Sequence, residues 1–187
     1  MAVRTIVTFP NPVLKQRCEA VTKFDAELHT LLDDMQETMD DAEGLGLAAN
    51  QIGLPLRIFT MSLPTGDADD GPVERFEIIN PEIVTKSGDI RFEEGCLSFP
   101  GISELVSRAA EVQLRYQDRN GAEVVRVFTE VAAVCVQHEF DHLEGVTFLD
   151  RLSPLKRRLA MRSYKKAMAQ ARFDAEDEGR AAVRPWR

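Results

Sequence analysis

The segment that most constrains this chain is QHEFDHLEG, residues 137–145. On an α-helix, side chains four residues apart lie on one face, so His138 and His142 can direct two imidazole rings at one metal ion. Glu139 follows the first histidine and can reach a water molecule bound to that ion. The alternative is a pair of surface or core histidines beside a solvated carboxylate. Because the chain has three histidines and two of them have this spacing on a predicted apolar face, we favour a metal centre.

Two histidines need a third protein ligand, and no histidine follows His142 in the chain. His29 belongs to the first predicted helix and is expected at the surface. Cys96, in the sequence EGCLS, is the better donor, because a glycine precedes it and polar residues surround it. A thiolate and two imidazoles leave one tetrahedral position open, as hydrolysis requires. Cys135, one helical turn before His138, is expected to be a packed core thiol.

The composition is typical of one globular domain. The chain has 187 residues, of which 44% are hydrophobic and 29% charged. It has no apolar run of the roughly 18 to 20 residues that a membrane span needs, and its first residues lack a secretory signal. Three cysteines are too few for a disulfide framework. We therefore expect a cytoplasmic protein with a catalytic domain of residues 1–172 and a flexible tail of residues 173–187.

Charge is distributed unevenly along the chain, whose net charge is −8. Residues 1–150 contain 12 basic and 27 acidic side chains, which argues against binding of nucleic acid by the protein as a whole. Residues 151–172 contain eight basic side chains and no acidic one. This segment could orient the acidic body toward a polyanion.

The hydrophobic pattern predicts an α+β fold with a helix at each end. Asp25 is the expected N-cap of a first helix that ends near Ala42. Short strands of antiparallel or mixed sheets are expected in the middle of the chain, at residues 57–61, 76–80, 82–85, 90–92, 112–118 and 124–128. An exposed insertion is expected between Pro64 and Pro72. Asn120-Gly121 predicts a hairpin between the last two strands.

Two helices are expected after the strands. The central helix, with the HExxH pattern, should run from about Glu130 to Gly145. The last helix should begin at Ser153-Pro154 and continue to about Arg172. Its residues Leu155, Leu159 and Met168 are expected to pack on the body of the protein.

A third informative segment is GLGLAANQ, residues 44–51. It follows a helix and lacks both a third glycine at the dinucleotide spacing and a P-loop lysine, so a phosphate site is disfavoured. Its glycines would let a substrate backbone approach closely, and Gln51 could present its amide group to a developing oxyanion. The alternative is a simple loop that ends the helix.

Together the three segments resemble the peptide deformylase family, whose motifs GxGLAAxQ, EGCLS and QHExDHLxG stand here in the same order. The resemblance covers roughly residues 1–170. It implies a hydrolase that removes the N-formyl group from the initiator methionine of nascent polypeptides. It also implies one Fe(II) ion per chain, with zinc, nickel or cobalt able to substitute.

The resemblance also implies a role for each motif residue. Cys96, His138 and His142 hold the metal, and Glu139 takes a proton from the metal-bound water and later delivers it to the leaving amine. The Gln51 side chain and the backbone N–H of Leu97 stabilise the oxyanion.

The implied substrate is an extended peptide that lies along a strand edge near Gly46. The residues expected to contact the peptide or to line the pocket for its methionine side chain are Gly44, Leu45, Gly46, Val134 and Cys135. One departure is visible: many bacterial members carry an arginine near the position of Ser103. The basic residues 151–172 are expected to dock the enzyme on the ribosome.

Two other functions are compatible with the residues alone. A different metallohydrolase could use the same ligands and glutamate on a peptide amide, although the thiol ligand is unlike that of ordinary zincins. A metal-storing or ribosome-associated binding protein could retain the fold. Against it, the proposed general base and the oxyanion donor are both present.

Overall fold

The computed structural model describes residues 2–64 and 73–182 of the chain. The exposed insertion predicted between Pro64 and Pro72 lies outside the described residues. Within them there are three α-helices, α1 (Ala26–Asp41), α2 (Glu130–Leu143) and α3 (Pro154–Ala182). The side chain of Asp25 caps α1 as predicted, because its carboxylate accepts hydrogen bonds from the backbone N–H groups of Glu27 and Leu28.

The strands in the described part of the chain are β1 (Gly46–Ala48), β2 (Ile58–Pro64), β3 (Val73–Ser87), β4 (Ile90–Gly95), β5 (Ser103–Arg108), β6 (Glu111–Gln117) and β7 (Glu123–Thr129). Five of them form an antiparallel sheet in the order β1-β2-β3-β6-β7, and β4 pairs with β5 in a separate antiparallel hairpin. The predicted α+β class is confirmed. The hairpin predicted at Asn120-Gly121 joins β6 to β7, and Gly121 there has a φ of +81°.

Three strands differ from the prediction. The sequence predicts two strands flanking Pro81, whereas β3 runs through this proline as one strand. Its register with β6 shifts between Ile79 and Glu82, and Asn80 has a φ of +50°. A bulge of this kind accommodates a residue that has no N–H to donate. The strands β1 and β5 were not predicted, since both are short and neither has a long β-branched run.

The five-stranded sheet lies between α1 and α2. Adjacent residues of a strand point to opposite faces, and Ile58 packs with Met35 of α1 whereas Phe59 packs with Val136 of α2. These side chains are fully buried. Burial of α2 against the sheet fixes the face on which His138 and His142 lie.

The helix α3 packs through a face that shares only Met168 with the predicted one. Ala160 and Tyr164 are buried in a cluster with Phe99 and Phe148, and Met168 packs against this cluster. The prediction that Leu155 and Leu159 pack on the body is wrong, because these side chains are 61% and 54% exposed. The inward stripe repeats every four residues from 160 to 168, which turns the two leucines toward solvent.

The length of α3 also departs from the prediction, since the helix continues to Ala182 and not to about Arg172. Alanine, glutamate and arginine favour helix in this stretch, and no proline interrupts it before residue 185. No helix in the described part of the chain is both long and apolar enough to cross a membrane. The division into a catalytic domain of residues 1–172 and a tail stays a prediction.

Candidate metal centre

Three potential metal ligands lie close together in the fold. His138 and His142 lie on one face of α2, with ring centroids 5.1 Å apart. Cys96 follows β4, and its Sγ lies 3.3 Å from Nε2 of His142. One ligand atom from each of the three residues falls within 4.8 Å of the others. The structure thus brings together the residues that the sequence predicts as metal ligands, whereas His29 bonds to the backbone oxygen of Arg119.

The orientation of His138 is fixed by a residue that sequence reasoning left without a role. Nδ1 of His138 lies 2.8 Å from Oε2 of Glu94, which is 4% exposed. Burial alone would raise the pKa of Glu94, but hydrogen bonds from Arg108 and His138 outweigh it and lower the pKa to about 2. Glu94 is therefore a carboxylate that accepts the Nδ1 proton, and Nε2 of His138 is left to bind an ion.

Glu139 is buried in the same site. It is 4% exposed, and its Oε2 has no hydrogen-bond partner among the described residues. Burial raises the pKa of Glu139 to about 7, mainly through loss of hydration of the charged form. A carboxyl group with a pKa near neutrality can both accept and donate a proton at physiological pH.

The side chain of Gln51 is held in one orientation. Its Oε1 accepts a hydrogen bond of 2.8 Å from the backbone N–H of Ala48, so its Nε2 faces the opposite way. Nε2 donates to Ser98 Oγ at 3.2 Å and lies 3.6 Å from Cys96 Sγ. The amide donor of Gln51 is thus directed at the ligand cluster.

Four of these functional side chains, Gln51, Cys96, His138 and Glu139, line a cleft of about 480 Å³. Leu97 and every predicted peptide-contacting residue also contribute to its wall, namely Gly44, Leu45, Gly46, Val134 and Cys135. Cys135 is buried, its burial raises the pKa of its thiol, and Sγ lies 3.6 Å from the backbone oxygen of Leu45. The apolar part of the wall is suited to an apolar side chain.

The wall of the cleft also carries acidic side chains. Ser103 stands at the start of β5, and its hydroxyl donates a hydrogen bond of 2.6 Å to Oε1 of Glu93. Glu93 lines the cleft, as does Glu43.

Comparison with known proteins identifies the family to which this site belongs. The family model described as polypeptide deformylase matches residues 3–158. The chain belongs to the polypeptide deformylase family. It is 46% identical over 158 residues to the peptide deformylase of Helicobacter acinonychis (strain Sheeba), a match that covers 84% of this chain and 90% of that protein.

Two solved structures share the fold. A peptide deformylase from Legionella pneumophila superposes with a TM-score of 0.81 at 43% identity, over 91% of this chain and 99% of the other. The class I type b peptide deformylase from Acinetobacter baumannii, solved with Met-Ala-Ser bound, has a TM-score of 0.75 at 33% identity, over 81% of this chain and 99% of the other.

Membership in the peptide deformylase family decides between the functions that the residues alone left open. The protein is a hydrolase that acts on N-formylated nascent peptides and removes their formyl group. A binding protein without catalysis and an unrelated metalloprotease are both disfavoured. Sequence reasoning missed three buried residues of this peptide deformylase site, namely Glu94, Arg108 and Asp141. Glu94 and Asp141 stand inside the motifs, so their position was a usable signal, but Arg108 belongs to none of the three.

Proposed function

We propose that this deformylase acts on formyl-methionyl peptides through a divalent metal ion held by Cys96, His138 and His142, with Glu139 as general base and then general acid. The observation that carries the proposal is the convergence of three ligand atoms within 4.8 Å beside a buried carboxylate, in one cleft. The same cleft contains an oriented amide donor and an apolar wall.

The ligand residues fit a transition-metal ion. A thiolate and two neutral imidazoles suit Fe(II), Zn²⁺, Ni²⁺ and Co²⁺, and three protein ligands leave a position open. Glu94 supports this set of ligands. Its carboxylate binds Nδ1 of His138, so Nε2 on the other side of the ring is left to face the ion. A bound ion would polarise the formyl oxygen and make a nearby water more acidic. Following the family resemblance, we propose Fe(II) as the native ion, with zinc, nickel or cobalt as substitutes.

Glu139 performs the proton transfers in this mechanism. Its carboxylate accepts a proton from the attacking water and later donates it to the nitrogen of the leaving amine. Burial raises the pKa of Glu139, which favours donation of the proton in the second step. The burial that sets this pKa also keeps bulk water from competing for the proton.

Two donors from this chain stabilise the oxyanion that develops on the formyl oxygen. Nε2 of Gln51 is directed at the ligand cluster by the hydrogen bond from Ala48. The backbone N–H of Leu97, the residue after Cys96, is the second proposed donor. The amide of Gln51 is held in place by Ala48 and Ser98 before substrate binds, so its donor needs little reorganisation during the reaction.

The substrate is proposed to bind as an added strand beside β1. This strand is at the edge of the five-stranded sheet, where its pairing within the described residues is with β2. A peptide extended there would place its methionine side chain against Leu45, Val134 and Cys135. The Met-Ala-Ser bound to the Acinetobacter baumannii relative supports a methionyl peptide as the ligand.

The helix α3 is proposed to dock the enzyme on the ribosome. Its basic side chains Lys156, Arg157, Arg158, Arg162, Lys165 and Lys166 are exposed. Such a surface is attracted to RNA phosphates without reading a base sequence. Docking on the ribosome would bring the cleft close to nascent chains in the cytoplasm.

The proposal is tested by release of formate from formyl-Met-Ala-Ser. Protein purified without oxygen is freed of metal with a chelator, and activity is measured before and after addition of Fe(II), Ni²⁺ or Co²⁺. We expect activity to require the ion and acetyl-Met-Ala-Ser to be a poor substrate, since an acetyl methyl group must fit where the formyl hydrogen lies. Full activity without metal would contradict the proposal.

A further inference from the structure

A buried group of charged side chains adjoins His138. The side chains of Arg108, Glu94 and Asp141 are 4%, 3% and 6% exposed. Arg108 donates from Nε to Glu94 Oε1 at 2.7 Å, from Nη2 to Glu94 Oε2 at 2.9 Å, and from Nη1 to Asp141 Oδ2 at 2.6 Å. Each nitrogen of the guanidinium group is thus engaged by a carboxylate.

Arg108 joins three elements of the fold at this point. It ends β5, whereas Glu94 lies in β4 and Asp141 lies in α2 between the two histidines. Asp141 also accepts hydrogen bonds from Arg151, one of them 2.9 Å long from Nε. The two acids of this buried group are thus paired with two guanidinium groups. Arg108 is the member that connects the acid of β4 with the acid of the ligand helix.

One carboxylate oxygen connects Arg108 to His138, a proposed metal ligand. Oε2 of Glu94 accepts from both Arg108 Nη2 and His138 Nδ1. Glu94 accepts three hydrogen bonds, two from Arg108 and one from His138. Without Arg108, only the bond to His138 itself would remain among the described residues. The tautomer and direction of His138 therefore depend on the guanidinium group.

We propose that Arg108 is a positioning residue of the metal centre, which holds Glu94 so that Glu94 orients His138 toward the ion. This inference rests on the proposed function, because it assumes an ion at the three ligands. It adds a residue outside the three motifs that sets the affinity of the site. Arg108 itself does not line the cleft.

The chain offers a matched control. Arg119 also bridges two carboxylates, with hydrogen bonds of 2.8 Å from Nε to Glu77 and 2.9 Å from Nη2 to Asp33. This arginine joins the β6–β7 loop to β3 and α1. Arg119 is 36% exposed, so its bridge is less buried than that of Arg108. Arg119→Met removes a bridge of the same connectivity away from the ligands, so it reports whether loss of an arginine bridge elsewhere in the fold changes metal binding.

The test measures zinc affinity by competition with a chelator, together with the absorption spectrum of the Co²⁺ form, for wild type, Arg108→Met, Glu94→Gln, the double variant and Arg119→Met. We expect Arg108→Met to weaken zinc binding by about 10 to 100 fold and to alter the Co²⁺ spectrum. Arg119→Met should leave both unchanged. In the Glu94→Gln background, Arg108→Met should weaken binding no further, because the two residues act in one chain.

Equal zinc affinity in Arg108→Met and wild type would overturn the inference, and so would losses that add in the double variant. If Arg108→Met does not fold, Arg108→Lys is measured in the same way; it keeps the charge but cannot form the three hydrogen bonds of the planar fork. Wild-type affinity in Arg108→Lys would then count against the inference. Failure of the proposed function gives a different result: wild type itself would bind zinc no better than Cys96→Ser.

Discussion

Gly46 in β1 and Glu139 in α2 are in direct contact: a Cβ atom at position 46 would lie 2.5 Å from Oε1 of Glu139 and 2.9 Å from its Cδ. Real Cβ atoms essentially never come this close to another heavy atom. The first motif therefore leaves space for the base of the third motif, on the strand along which we propose the substrate to lie.

Substitution Gly46→Ala is expected to displace the Glu139 carboxylate and to lower kcat by about 100 fold, because misplacement of a catalytic group by about 1 Å has this order of effect. Metal content should not change, since the three atoms nearest to the added methyl group all belong to Glu139 and none belongs to a metal ligand. Gly95→Ala is the control, because its Cβ would meet only the backbone oxygen of Ile102, at 3.9 Å. An equal loss of kcat in the two variants would contradict the contact as the cause.

Gln51→Glu should lower kcat by about 100 to 1,000 fold while metal content is preserved, because the variant keeps an acceptor for the Ala48 N–H but loses the amide donor. Steady-state kinetics with formyl-Met-Ala-Ser measure the effect. If KM rises and kcat is unchanged, Gln51 binds the ground state and does not stabilise the oxyanion.

The sequence predicted the residues proposed to carry out the chemistry better than the residues that hold them in place. The spacing of His138 and His142 on a helix determines their shared face, which depends on local geometry alone, as does the N-cap at Asp25. The short motif around Cys96 predicted the third residue of the cluster, and the structure brings the three ligand atoms within 4.8 Å of one another.

The contacts that sequence reasoning missed depend on tertiary structure. Arg108 is separated from Asp141 by 33 residues, and no local pattern connects the two. The strand β1 is three residues long and exists because β2 pairs with it. In α3, Leu155 and Leu159 satisfy helical spacing as well as Ala160 and Tyr164 do, so only the packed structure distinguishes the buried face from the exposed one.

The identity of the ion affects how long the enzyme survives in air. A thiolate ligand beside Fe(II) and an open coordination position invites oxidation by O2 or peroxide. We expect the iron form to lose activity in air and the nickel form to retain it, as measured by formate release over time. Equal stability of the two forms would count against Cys96 as the ligand of a redox-active iron.

Docking by α3 predicts ribosome binding that weakens steeply with salt, because each neutralised phosphate releases a counterion. Removal of the helix would also remove Ala160 and Tyr164 from the core, so substitution of its exposed basic side chains by glutamine is the sharper experiment. Co-sedimentation at low and high salt should show loss of binding in this variant and not in a control with Arg91→Gln and Arg115→Gln. If the glutamine variant sediments with ribosomes as well as wild type does while activity persists, the helix is only structural.

The central claim is that Glu139 moves the proton while Cys96, His138 and His142 hold the ion, and Glu139→Gln tests it most directly. The amide has nearly the shape of the carboxylate but cannot accept the proton. Metal content and formate release from formyl-Met-Ala-Ser are measured on the same preparation. The account predicts the metal stoichiometry of wild type with kcat lower by about 100 to 10,000 fold. Loss of the ion from a folded variant, or retention of wild-type kcat, would contradict it.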